Sequence, residues 1–250
     1  MGFNLASITR GAVQKPPRIV LYAPHGVGKT TFGACAPSPI LLPFEDGVGR
    51  LDIPTFPLIK SWAETVEALN TLITEQHDFK TVVVDTLDWF EPMVWAEASS
   101  RNSWKDIEQP GFGKGYIAAA DVWREFLEAL NVLRDERGMQ IILLAHSEVK
   151  RFDDPTTDGY DRYQIKLQKR AAEIVQEWGD AVLFANFKSY TTQSDAGFNK
   201  KTTRGVGTGE RVMYTEERPS HYAKNRYQLP AEIPFSYADF DAAMNPAVQA

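Results

Sequence analysis

The sequence predicts an α/β fold: a mostly parallel sheet flanked by helices, with an antiparallel β-hairpin toward the C-terminus. Three observations carry this expectation. Short apolar runs that read as buried strands alternate with segments of helical periodicity, the pattern of a parallel sheet covered on both faces. The first run, "RIVLY", leads directly into "APHGVGKTT", a strand-loop-helix junction rich in glycine. Near the end, "AVLFANFKSYTTQ" and "RVMYTEER" alternate like two hairpin arms around a glycine-rich basic tip.

Taken in order, Arg18–Tyr22 follows a Pro-Pro pair and reads as a buried strand. "KTTFGACA" is a helix stopped by Pro37. "PILLPF" is a second strand ending at Glu45-Asp46, and "TFPLI" a possible third. Ser61-Trp-Ala-Glu is a capping box in which Glu64 reaches back to the Ser61 amide. Ala63, Val66, Leu69, Leu72 and Ile73 follow at helical spacing. "KTVVVDT" is a buried strand ending in an acid, and Trp89–Ser100 a helix. "EQPGFGKGY" (Glu108–Tyr116) reads as a glycine-rich loop. From Ile117 to Arg137, Val122, Phe126, Leu127, Leu130 and Leu133 share one helical face, with Gly138 as the stop. "QIILLAHS" is another buried strand. A polar loop, "EVKRFDDPTTDGYDR", precedes a helix through "KLQKRAAEIVQEW" that stops at Gly179. After the hairpin, "FSYADFDAAM" is a short helix.

The chain has 250 residues, 43% of them apolar, which suits one large domain over 1–250. Its core is expected at about 15–234, with a short segment 1–14 before it and a helical tail 235–250. No internal repeat or long linker marks a second domain. The apolar runs are too short to span a bilayer, and the N-terminus has no apolar signal region, so a cytoplasmic location away from membranes is expected. The single cysteine, Cys35, excludes an internal disulfide and a cysteine-based zinc site; a small buried hydrophobe is its expected role. The net charge of −6 argues against a uniformly basic nucleic-acid binder. The distribution is uneven, however: Gly197–Arg226 holds seven basic residues against three acidic ones.

The phosphate-loop pattern G-x-x-x-x-G-K-[ST] fits Ala23-Pro24-His25-Gly26-Val27-Gly28-Lys29-Thr30 at every position except the first. That glycine serves a tight turn. Gly28 matters more, because backbone amides must approach phosphate with no Cβ in the way. Pro24 to Thr31 is therefore expected to hold ATP. Lys29 reaches the β- and γ-phosphates, and Thr30 ligates Mg²⁺. The partner acid belongs at the end of a buried strand, and Thr81-Val82-Val83-Val84-Asp85 supplies Asp85 as a second Mg²⁺ ligand. Glu45, at the end of the second strand, is the expected base for water, with Asp46 next to it as the alternative. His146 and Ser147 end a later core strand. They are placed to sense the γ-phosphate, a structural histidine being the other reading.

In their order, "APHGVGKTT", "PFED", "VVVDT", "EQPGFGKGY", "LLAHS", "EVKRFDDPTTDGYDR" and "HYAKNRYQLP" resemble RecA. The chain looks most like the phage-encoded RecA-like ATPases associated with recombination by single-strand annealing, over roughly Lys15 to Pro234. The resemblance departs at Ala23, at His146-Ser147 where RecA has glutamine, and at Arg226 in place of a second lysine. It implies a RecA-like core and self-association as a ring or filament. It implies ATP held at subunit interfaces, and Lys224 and Arg226 reaching the neighbour's γ-phosphate. It also implies the cytoplasm of a bacterial host.

Phe112, Lys114 and Tyr116 in the first loop, and Lys150, Arg151, Phe152 and Arg162 in the second, mix cations with aromatics, as sequence-tolerant single-strand binding requires. Lys200, Lys201 and Arg204 at the hairpin tip are further DNA candidates. The alternative is that the rings pin the loops to the core. Single-stranded DNA and other copies of the chain are thus the expected partners, with a single-strand-binding protein as a further one. Two other functions share these motifs. One is an ATP switch that recruits a replication partner, as a helicase loader does. The other is a small-molecule kinase, for which no lid with clustered arginines is evident. Stimulation of ATP turnover by DNA separates the first reading from both.

Overall fold

A computed structural model describes residues 15–47, 49, 51–195 and 201–246. Nine strands form one sheet. Its path runs β2 (Pro39–Pro43), β3 (Thr81–Asp85), β4 (Gln140–Phe152), β1 (Arg18–Ala23), β6 (Ala181–Asp195), β7 (Lys201–Tyr214), β9 (Glu232–Pro234). The pairs β2/β3, β3/β4, β4/β1 and β1/β6 are parallel; β6/β7 and β7/β9 are antiparallel. β5 (Tyr160–Ile165) pairs with the outer half of β4, and β8 (Lys224–Asn225) with the start of β6.

Alternation along each strand divides the core. Val20 and Tyr22 face one side of the sheet, Ile19, Leu21 and Ala23 the other. The first side is covered by α2 (Trp62–Thr74), α3 (Leu87–Arg101), α4 (Lys114–Glu136) and α5 (Lys169–Trp178). Phe32 of α1 (Lys29–Ala34) and Phe240 of α6 (Tyr237–Met244) pack against the second. All five residues expected on the inner face of α4 are buried.

Five local expectations change. "TFPLI" is not a strand. It runs beside β2 with one bridge, Leu41 to Thr55, because Pro54 and Pro57 have no amide to donate. Ser61 caps α2 as expected, accepting from the Glu64 amide at 3.2 Å, but the Glu64 carboxylate takes the Lys60 amide, at 2.6 Å. The buried face of α2 is Thr65, Ala68, Leu69 and Leu72; Ala63 and Val66 are exposed. Cys35 is exposed, since α1 ends at Ala34 and leaves it at the cap. The "polar loop" after the fourth core strand is a hairpin, with Lys150 opposite Arg162.

Glu91 of α3 is 6% exposed and accepts the Gln168 amide with both carboxylate oxygens, at 3.0 and 3.1 Å. Burial pushes its carboxyl from 4.5 up to about 7, against the pull of that hydrogen bond. The native state then holds a proton the unfolded chain releases, so stability falls as pH rises from about 4.5 to 7. Glu91→Gln keeps an acceptor for Gln168 and removes the charge. It is expected to gain up to about 3 kcal/mol over wild type at pH 8 and little at pH 4. Urea unfolding at both pH values checks this, and an equal difference at the two would refute it.

Candidate functional site

The carboxyl ends of β1, β2, β3 and β4 lie together, since Ala23 registers with His146, Pro43 with Asp85, and Asp85 with Leu144. In an open α/β sheet this edge is where ligands bind. Ala23, in place of the usual glycine, is the last residue of β1, fully buried and still paired in the sheet. The turn begins only at Pro24, so no glycine is needed at position 23. The positions that require glycine have it: Gly26 has φ 77° and Gly28 φ 106°, both in the left-handed region. A Cβ on Gly28 would also lie 2.9 Å from Arg211 Nη1.

Lys29 is 6% exposed, and its ammonium lies 3.4 Å from the Pro24 carbonyl. Burial lowers its pKa, opposed by the charges of Asp85, Glu45 and Asp88. The Thr30 hydroxyl donates to Asp85 Oδ2 at 2.7 Å, joining the loop to the end of β3. Asp85 is 3% exposed and its Oδ1 is buried with no hydrogen-bond partner. Burial raises its pKa, partly offset by Thr30 and Lys29. An orphaned buried carboxylate oxygen beside a hydroxyl is a donor set that fits Mg²⁺. Thr31 is exposed beside Thr30.

Glu45 is half-buried just past β2. Burial, and then the nearby Asp85 charge, raise its pKa. Asp46 is exposed.

His146 is buried and anchored. Its amide donates to Asp88 Oδ1 at 3.0 Å, and its Nδ1 lies 2.9 Å from Asp88 Oδ2. Burial opposes ionisation of Asp88, but the hydrogen bonds from His146 outweigh it and bring the carboxyl to about 2. An ionised carboxylate only accepts, so Nδ1 carries the proton of this bond and Nε2 is left for another partner. The His146 ring stacks on His25 of the loop, with centroids 3.7 Å apart. Burial, then the His146 charge, lower the pKa of His25.

Sequence reading missed Asp88, which lay between the strand ending at Asp85 and the helix expected from Trp89, and Arg211, counted only as hairpin charge. Arg211 Nη1 donates to the Val27 carbonyl at 2.8 Å, and its guanidinium lies over Phe235. It braces the loop from β7. Asp88 had a signal, as the third residue after Asp85. Arg211 had none, because 184 residues separate it from Val27.

The two expected cations for a neighbour's phosphate lie at the other end of the sheet. Lys224 pairs with Val182, near the start of β1 rather than at the loop, roughly 13 Å away by strand rise. Its ammonium donates to the carbonyls of Gln176, Glu177 and Gly179 at 3.0, 2.7 and 2.7 Å. An ammonium has three donors, so all are taken in closing the C-terminus of α5. Arg226 pairs with Asp180 at 3.2 Å but stays 54% exposed.

The expected DNA residues divide likewise. Phe112 is fully exposed at φ 49°, between Gly111 and Gly113, which also have positive φ. Lys114 is exposed, but it opens α4 rather than sitting in a loop. Tyr116 is in α4 too; it bonds Glu108 and meets Trp95 edge-on at 5.7 Å, so it pins the loop. Lys150 and Arg151 are exposed on β4. Phe152 is half-buried between Tyr160 and Arg162. Arg162 is 5% exposed, bonded to Glu217 at 2.9 Å, with its Nε unpartnered. Tyr116 and Arg162 thus each make side-chain contacts within the domain. Lys201 and Arg204 lie on β7 opposite Asp195 and Thr192. Lys200 lies outside the described residues.

The strand-loop-helix junction, its lysine and threonine, and the buried acid bonded to that threonine define a P-loop NTPase domain on a mostly parallel α/β core. Residues 15–227 match the AAA domain family, and the chain belongs to that family. It is similar to the SPbeta prophage-derived uncharacterized protein YorG of Bacillus subtilis (strain 168). The two are 23% identical over 220 residues, 84% of this chain and 59% of the relative. The chain therefore spans about three-fifths of that curated relative. It is also similar to the crystal structure of the RadB recombinase, at 14% identity and TM-score 0.49, with 90% of each chain covered. Among the described residues, no helix is long and apolar enough to cross a membrane.

Proposed function

We propose that this protein is an ATP-hydrolysing, RecA-like phage recombination protein. It binds single-stranded DNA, promotes annealing or pairing, and holds ATP at interfaces between copies in the cytoplasm of a bacterial host. The observation that carries hydrolysis is the Thr30–Asp85 bond beside the buried Lys29, with Glu45 at the next strand end. In the reaction, water oxygen bonds to the γ-phosphorus and the bond to the β,γ-bridging oxygen breaks. Glu45 takes the water proton, and ADP leaves with the bonding pair. Lys29 offsets charge on the phosphates, and His146, with Nδ1 bonded to Asp88, would offer Nε2 to the γ-phosphate. Mg²⁺ held by Thr30 and Asp85 would add Lewis-acid stabilisation of the same oxygens. Arg226 of a neighbouring copy is the remaining cation for an interface.

Strand binding is supported by the β4–β5 hairpin. It extends β4 beyond His146 and borders a groove of about 410 Å³ whose lining includes Lys150, Arg151, Phe152, Lys169 and Tyr222. ATP turnover with and without single-stranded DNA, at two salt concentrations, tests the proposal. Turnover indifferent to DNA would favour the partner-recruiting switch.

Each phosphate contact is expected to contribute about −0.7 to the log–log salt slope of single-strand affinity. Lys150→Ala with Arg151→Ala should reduce that slope by one to two contacts' worth, roughly 0.7 to 1.4. Phe112→Ala should weaken binding by roughly 1–3 kcal/mol without changing the slope, because a stacking ring and no charge is lost. Fluorescence titrations across a salt series measure both. If neither variant differs from wild type, the strand lies elsewhere, and the β6–β7 arm around Lys201 and Arg204 is the next place to look.

A further inference from the structure

We propose that Lys166 is a catalytic cation of ATP hydrolysis, supplied in cis from the end of the β4–β5 hairpin to the γ-phosphate. The inference rests on the reading that the phosphate loop hydrolyses ATP. Lys166 follows the last residue of β5, and its amide donates to the His146 carbonyl at 2.9 Å. Its ammonium lies 3.8 Å from Asp88 Oδ2. Asp88 in turn holds His146, and His146 stacks on His25 inside the phosphate loop. A continuous set of contacts thus runs from Lys166 to the loop, and Asp88 stands three residues beyond the Asp85 that bonds Thr30.

The pairing with Asp88 is loose. At 3.8 Å it is beyond hydrogen-bond length, and the Lys166 side chain is 54% exposed. A flexible four-carbon stem allows the ammonium to leave Asp88 for a phosphate oxygen without breaking a strong bond. Lys224 and Arg211 are less able to do this. Lys224 has its three donors on the end of α5, and Arg211 is bonded to the back of the loop at Val27. Lys166 transfers no proton; it offsets charge that builds on the γ-phosphate and bridging oxygens as the bond to ADP breaks, the role of an arginine finger.

The placement also ties turnover to the hairpin. Ile165 pairs with Ser147 and Arg162 with Lys150, so Lys166 sits at the root of the strands that carry the DNA-binding side chains. A strand that shifts the hairpin shifts this cation.

The test is steady-state ATP turnover by Lys166→Ala and Lys166→Arg, with affinity for a fluorescent ATP analogue and melting temperature measured alongside. Lys166→Ala is expected to lose at least roughly a hundredfold in kcat, with nucleotide affinity and melting temperature close to wild type. Lys166→Arg should retain most of the turnover. Mixing Lys166→Ala with Lys29→Ala should restore nothing, because the cation and the loop it serves are on one chain. Wild-type turnover by Lys166→Ala overturns the assignment, and so does recovery in the mixture, which would place the cation in trans. Loss of affinity and melting temperature together with kcat would make Lys166 a structural residue. A wild-type protein that binds ATP and never hydrolyses it would instead remove the reading on which this inference rests.

Discussion

Lys29→Ala is expected to abolish ATP hydrolysis and sharply weaken nucleotide binding while leaving the fold intact. Lys29 is the cation of the loop itself, and the adjoining acids Asp85, Glu45 and Asp88 all act on its ammonium. Without it, triphosphate would meet three carboxylates with no offsetting charge at the loop. A loss of roughly a hundred- to a thousandfold in turnover is the scale for one preorganised donor in such a site. The fold should survive because, among the described residues, the ammonium's one hydrogen-bond partner is the Pro24 carbonyl, at 3.4 Å. Removing a desolvated charge relieves a burial cost rather than opening an apolar cavity. Turnover at the wild-type rate by a correctly folded Lys29→Ala protein would end the phosphate-loop reading.

Glu45→Gln should show the opposite division between binding and chemistry. ATP affinity should be near wild type, while turnover falls at least roughly a hundredfold, as expected when a general base is lost. Burial and the Asp85 charge raise the pKa of Glu45 above the ordinary carboxylate range. The base must be ionised to act, so turnover should fall as pH drops through that raised value. The fall should begin at higher pH than it would for a fully solvated glutamate. If Asp46→Asn carries this phenotype and Glu45→Gln does not, the base is the next residue along.

The phosphate loop, the acid at the end of β3 and the parallel sheet were legible because their signals are local. A buried strand, a glycine at positive φ and an acid at a strand end each leave their mark within a few residues. The Ala23 substitution was readable too, since the residues that approach phosphate lie beyond it. The loops were less legible. "EVKRFDDPTTDGYDR" is polar enough to read as a loop, yet Lys150 and Arg162 face each other across a ladder, and a two-stranded pairing leaves little periodicity when one face is wet.

By itself, then, the amino-acid order determined the class of fold, the nucleotide loop, and the acids at the ends of β2 and β3. What only the tertiary structure decided is which charges are available. Lys224 and Arg226 alternate on an extended stretch like a pair of fingers, but three carbonyls at the C-terminal end of α5 take up the donors of Lys224, while Arg226 pairs with Asp180 and stays 54% exposed. Arg211 and Lys166 carried no motif. Folding sets Arg211 on the Val27 carbonyl at 2.8 Å and Lys166 within 3.8 Å of Asp88. The physical reason is that a cation's role depends on the acceptors around its nitrogen. Those acceptors come from strands and helices distant in sequence, so spacing along the chain does not encode them.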